Sequence, residues 1–103
     1  MARRVVDLHP EAIAEGREAR NWYRERSRDV EERFRVGLRR AVREIREAPE
    51  RWPADEDGLR SCRVYGFPYR LIYWTEGDYN LVVAIAHNKR RPGYWKPRLR
   101  GPI

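Results

Sequence analysis

Hydrophobic positions follow two rhythms along this chain, and the change between them divides it. Between residues 10 and 48 small or apolar residues recur every three or four positions, which predicts helices; from residue 59 onward they alternate or run together, which predicts strands. Ahead of both, "RRVVDL" (3–8) is short and β-branched and predicts an opening strand. Ala12, Gly16, Ala19 and Tyr23 mark one face of a helix over about 10–26, a face that Trp22 broadens. Pro10 suits the first helical position and Glu11 the positive end of the helix dipole, so His9 reads as a cap or an exposed residue. Val30, Phe34, Leu38, Ala41, Ile45 and Ala48 mark a second helix, which Pro49 ends. Asp29 with Glu32 fits a capping box at its start, with Ser27 as the competing cap. Gly37 inside this helix costs about 1 kcal/mol against Ala. Close approach to the first helix, where Gly16 and Ala19 are also small, is the expected compensation.

Prolines, acids and Gly58 make "PERWPADEDG" (49–58) a loop. Strands are expected at 59–65, 69–75 and 80–87, joined by turns at "GFP" and "EGDY" short enough to make antiparallel neighbours. "NLVVAIAH" (80–87) is the most continuously apolar and therefore the central strand. The order β-α-α-β-β-β gives an α+β fold, an N-terminal helical hairpin packed on one face of a small antiparallel sheet, in a single domain over 1–103. The other face must then meet solvent or a partner. Alternation sends Tyr69, Leu71 and Tyr73 one way and Arg70, Ile72 and Trp74 the other. An unpaired arginine is costly to bury, so Arg70 belongs on the open face with Trp74. "PGYW" (92–95) should turn back and bury Trp95 against the sheet edge or the helices, leaving 96–103 as a flexible basic tail.

Charge changes the picture. The net charge is +7, and 21 of the 23 basic residues are Arg. Residues 59–103 carry nine basic groups against only Glu76 and Asp78, and no acid follows His87. Such segregation concentrates polyanions, whether nucleic acid or an acidic protein partner. No run is long and apolar enough for a membrane span or a secretory leader, so cytoplasmic residence is the expectation. The lone Cys62 offers neither an internal disulfide nor a metal cluster, and no metal or cofactor is expected.

There is no Gly-rich phosphate loop, paired metal ligand set or Ser-His-Asp spacing, and "DED" at 55–57 reads as a solvated loop. What remains is a basic, imidazole and phenol set towards one end of the sheet: Arg63, Arg70, His87, Lys89, Arg90, Arg91 and Tyr94. Arg63, Arg70, Lys89, Arg90 and Arg91 are candidates to bind phosphates or a partner's acids by charge-assisted hydrogen bonds. Metal-free RNA cleavage would need a base, for which His87 is the candidate, charge stabilisation from Arg70 and Arg90, and Tyr94 as acid or stacking surface. The plainer reading of His87 is a strand-end residue with local hydrogen bonds.

"HPEA" opening the first helix, "WY" near its end, "GLRSCRVYGFPYRLIY" and "LVVAIAHNKRRPGYW" together resemble the ParE/RelE superfamily of toxins from bacterial type II toxin-antitoxin modules. The resemblance implies a helical hairpin against an antiparallel sheet, a cognate antitoxin as partner in a hetero-oligomer, and inhibition of growth. RelE-like members cleave messenger RNA on the ribosome; ParE-like members poison DNA gyrase. Arg70 in "YRLIY" and Arg90 in "HNKRR" match RelE-type phosphate-stabilising arginines. Arg63 stands where RelE has a strand lysine, and Tyr94 approximately where it has its tyrosine. Tyr65 departs from the basic residue expected there, and "VVAIAH" ending in His87 resembles ParE more. The expectation is therefore a ParE-like gyrase poison. The alternatives are a ribosome-dependent RNase and a non-toxic nucleic-acid-binding module.

Overall fold

The structure is a computed structural model and describes residues 4–99. Strand β1 (Val5–Leu8) leads into helix α1 (Pro10–Arg24) and helix α2 (Arg28–Glu47). Strands β2 (Leu59–Arg63), β3 (Tyr69–Glu76) and β4 (Tyr79–His87) follow, and a short 3-10 turn, Lys96–Leu99, closes the described chain. The two rhythms in the sequence thus correspond to the α-helical hairpin and the β2–β3–β4 meander. Residue 3 of the expected first strand lies outside the described residues.

The sheet order is β1-β4-β3-β2, with β2–β3 and β3–β4 antiparallel. β1 adds in parallel to β4, pairing Val5–Leu8 with Tyr79–Val82, so the sheet is mixed. Parallel neighbours need a long crossover, and here both helices and two strands lie between β1 and β4. Buried Asn80 secures this junction: its amide donates to Val5 O at 3.1 Å, and its side-chain oxygen accepts from Thr75 at 2.7 Å.

Local chemistry sets the helix ends. His9 caps α1, its Nδ1 accepting from Glu11 N at 3.1 Å, and is buried rather than exposed. Ser27, not the Asp29–Glu32 box, caps α2 by accepting from Val30 N at 3.3 Å. Both helices pack on one sheet face, over a core of Ala12, Ala19, Phe34, Ala41, Ile45, Cys62, Leu71, Tyr73, Val82 and Ile85. Phe34 is fully buried against Tyr23, Phe67 and Tyr69, with ring centroids 5.0–5.2 Å away. Burying one such ring contributes about 1.5–3 kcal/mol. Tyr73 reaches through this core to donate to the Pro49 carbonyl, fastening the 49–58 loop, and burial pushes its phenol up to about 12.

Three details differ from expectation. The two helical glycines approach the sheet, not each other: a Cβ on Gly37 would meet Val64 Cγ1 at 3.0 Å, and one on Gly16 would meet Ile85 Cδ1 at 3.0 Å. Trp22 lies off the packed face, 51% exposed beneath the Arg26 guanidinium. The second sheet face is not open. Trp95 covers it, clustered with Leu59, Ile72, Val83, Ala84 and Ala86 and flanked by Trp74, Leu81 and Tyr94. Arg70 does share this face with Trp74, but it is half-buried there. Of the basic tail expected over 96–103, Lys96–Leu99 form the 3-10 turn, and 100–103 lie outside the described residues.

Candidate functional site

One irregularity decides how the expected site residues are distributed. Tyr73 pairs with Val82 and Ile72 with Ala84, so Val83 is an extra residue on β4. This β-bulge puts Val83 and Ala84 on the same face and reverses the alternation after them. Without it, His87 would follow Val83 to the second face, beside Arg70. With it, Ile85 joins the helix-side core and His87 pairs with Tyr69, whose ring it meets edge-on at 5.0 Å. Arg70 pairs with Ala86 and keeps to the second face. The imidazole and the Arg70 guanidinium therefore lie on opposite sides of the sheet.

Arg63 is directly opposite Arg70 across β2–β3. Neither makes an ion pair among the described residues, and Arg70 Nε is buried without a partner. Like charges placed across a strand pair repel, and a buried donor without a partner is costly, so this pair lacks its counter-charge among the described residues.

Along the outer edge of β4 the charges are already matched. Glu15, projecting from α1, accepts from the Tyr94 hydroxyl at 2.7 Å, from Arg98 at 3.0 and 2.9 Å, and from the Ile85 backbone at 2.9 Å. Arg90 adds a contact at 3.4 Å while stacking 3.7 Å from the Tyr94 ring centre. Burial alone would raise the Glu15 pKa, but the donors from Arg98, Tyr94 and Ile85 outweigh it and hold the carboxyl below its ordinary range. Burial and the bond to Glu15 raise the Tyr94 phenol. Tyr94 is thus a structural donor with a proton that is hard to release.

His87 has its own local partner. Its Nδ1 accepts from Lys89 N at 3.0 Å, so the neutral ring carries its proton on Nε2. In this arrangement Nδ1 is taken by a local backbone bond, the contact of a residue that caps the strand end. Lys89 and Arg91 are exposed on the turn after β4. The expected rim therefore resolves into an Arg63–Arg70 pair, a Glu15-bound Arg90–Tyr94–Arg98 group and a capping His87. Cys62 is buried, with its thiol pushed up to about 12 by burial and by Glu44, and is unsuited to nucleophilic chemistry. Among the described residues no cluster of His, Cys, Asp and Glu could hold a metal ion.

Sequence reasoning missed Glu15 and a groove of about 400 Å³ beside α2. Leu8, Leu38, Val42, Leu71 and Ile85 line the groove, and Arg39, Arg43 and Arg46 rim it. The only sequence signal for the groove is that these arginines follow the apolar stripe at helical spacing. Glu15 gives no signal, since its partners lie some 70 to 83 residues away in the chain. A cleft of about 560 Å³ opens between α1 and the end of β4, lined by Glu18, Trp22, Tyr23, Tyr69 and His87 among others.

No helix of the described residues is long and apolar enough to cross a membrane. No curated protein matches the chain. The family model for the ParE toxin of the type II toxin-antitoxin system parDE matches residues 6–92, from within β1 to the turn after β4. That span takes in the helical hairpin and all of the sheet but Val5, and the chain belongs to the ParE toxin family.

Proposed function

We propose that this protein is a growth-inhibiting, cytoplasmic toxin that poisons DNA gyrase and is neutralised by a cognate antitoxin. The family match over 6–92 carries the reading. The distribution of the candidate residues supports the gyrase branch over RNA cleavage. His87 and Arg70 lie on opposite faces, and the Tyr94 hydroxyl is held by Glu15, while Arg90, which lines the cleft beside His87, is itself in contact with Glu15.

The antitoxin's binding site, in this reading, is the groove beside α2. An apolar floor between Leu38 and Ile85 with an arginine rim fits an amphipathic segment bearing acids along one side. Arg43 and Arg46 make no ion pair among the described residues, so they are available to it.

Induction of the protein alone in bacteria should arrest growth, and co-expression of its antitoxin should relieve the arrest. Purified protein with gyrase and supercoiled DNA should accumulate cleaved complexes, with His87→Ala as potent as wild type. Programmed ribosomes should keep their A-site codon intact. Cutting at that codon, lost in Arg70→Ala and His87→Ala, would replace the gyrase reading with the nuclease one. Reversing the groove's charge with Arg43→Glu and Arg46→Glu should leave toxicity in place and weaken antitoxin binding by roughly 10- to 100-fold, about 1.4–2.8 kcal/mol. Undiminished binding would move the antitoxin elsewhere.

A further inference from the structure

The cleft of about 560 Å³ between α1 and the end of β4 differs from the groove beside α2 in the charge it leaves unmet. Trp22, Tyr23 and Tyr69 give it aromatic walls, and Glu18 joins them from α1. Its other two charges are spent on neighbours. Glu15 is held by Arg98, and Arg90 turns to Glu15 and stacks on Tyr94. Glu18 makes no ion pair among the described residues. Burial, Tyr23 and Glu18 together raise the Tyr69 phenol, which sets the free carboxylate beside that ring. Trp22 is half exposed and meets Tyr23 edge-on at 5.1 Å. Arg26, which does not line the cleft, lies 3.5 Å from the centre of the indole, so this ring already takes one guanidinium. Ring faces beside an unpaired carboxylate attract a flat cation. A guanidinium suits them because it stacks on a ring while its N–H groups reach the acid.

We propose that this cleft receives an arginine side chain of a partner protein, and that the partner is the target, DNA gyrase, and not the antitoxin. The choice of partner rests on the gyrase reading above. Charge tells the two apart. The groove beside α2 is rimmed by Arg39, Arg43 and Arg46 and calls for acids, whereas the cleft calls for a base. A segment whose acids suit the first has the wrong sign for the second. Trp, Tyr and Arg are also the side chains that most often carry the energy of a protein interface. Glu18 and Trp22 are exposed as they stand, so nothing in the fold has to open for them to be met. The contact uses Glu18 and the three rings. His87, bound to Lys89 N, is not needed for it, in keeping with the unchanged potency expected of His87→Ala.

The test uses the full chain and its Glu18→Lys, Glu18→Gln and Trp22→Ala variants, all at exposed positions, with circular dichroism to report folding. Trapping of cleaved complexes by purified gyrase on supercoiled DNA is titrated for each, and antitoxin binding is measured on the same samples. Glu18→Lys and Trp22→Ala should need at least roughly tenfold more protein for half-maximal trapping. Glu18→Gln should need roughly threefold more, and all three should bind antitoxin as wild type does. In parallel, N-acetyl-arginine amide and its lysine and glutamate counterparts are titrated while NMR follows the Trp22 indole N–H. The arginine probe should shift it most and the glutamate probe least, and Glu18→Lys should abolish the response. Folded Glu18→Lys and Trp22→Ala proteins as potent as wild type would overturn the proposal, as would equal responses to the arginine and glutamate probes. Loss of antitoxin binding in these variants would give the cleft to the antitoxin and overturn it too. If wild type traps no complexes, the gyrase reading fails and the named occupant fails with it, while the probe titration separately reads the chemistry of the cleft.

Discussion

The molecule holds arginines in two opposite ways, along the outer edge of β4 and at one end of the second sheet face. Around Glu15, Arg90 and Arg98 converge on one carboxylate, which also takes a phenol and a backbone N–H. At the end of the second face Arg63 and Arg70 face each other with no acid, and one of their nitrogens is buried without a partner. Sequence does not mark which group finds a counter-charge, since Glu15 lies 83 residues from Arg98 in the chain. The structure separates charges that hold the chain together from charges left for something else to meet. Being arginine close to the candidate site is therefore weak grounds for a functional role; the state of its counter-charge is better.

Breaking the matched side should have the largest effect. Glu15→Ala leaves Arg98 nearly buried without its carboxylate and orphans the Ile85 N–H, a loss of about 3 kcal/mol. Urea denaturation measures it, and a loss under about 1 kcal/mol would mean that the cluster is ornamental. The pH dependence follows from the same contacts. The folded pKa of Glu15 lies below 4.5, so its contribution is complete above that value and is lost as pH falls through the lowered folded value. Glu31, held down chiefly by its bond to Arg24, acts in the same direction. Glu15→Gln should accordingly flatten the acid limb of a stability-against-pH curve while leaving the curve parallel to wild type above about pH 6.

A smaller effect is expected from Tyr94→Phe. It removes one of several donors to Glu15 and keeps the ring beneath Arg90, so the loss should be about 1 kcal/mol. With Phe at this position, toxicity in bacteria should persist. If the variant is as stable as wild type but no longer arrests growth, Tyr94 acts on the target and its bond to Glu15 is incidental.

Much of the fold was legible because it follows from periodicity and capping chemistry. The stripes from Ala12 to Tyr23 and from Val30 to Ala48 predict the helical hairpin, and short turns around Gly66 and Gly77, both with positive φ, predict the meander. Two features were not legible, for one physical reason. Neither the Val83 bulge nor the Glu15 cluster depends on neighbours in sequence. "LVVAIAH" is apolar on both faces, so one inserted residue changes no visible pattern, yet it carries His87 to the other side. The covered second face was missed because "PGYW" shows that Trp95 should be buried but not against which surface. The site expected from the sequence rested on these residues lying towards one end of the sheet, which does not say on which face each one points.

The unmatched side yields the smallest prediction and the sharpest sign. Replacing Arg63 by Gln keeps most of an exposed side chain and removes one of two facing positive charges. Relieving a directly opposed like-charge pair is worth a few tenths of a kcal/mol, about 0.2–0.5, in favour of the folded state. The variant should thus be slightly more stable than wild type at low salt, opposite in sign to every change made around Glu15. Raising the ionic strength screens the repulsion in wild type and should close the gap. Urea denaturation of both proteins at two salt concentrations is enough to see it. If Arg63→Gln is instead destabilising at both, the two guanidiniums are already reconciled within the folded chain. The second face would then hold its arginines for the fold, as the β4 edge does, and the contrast between the two groups would fail.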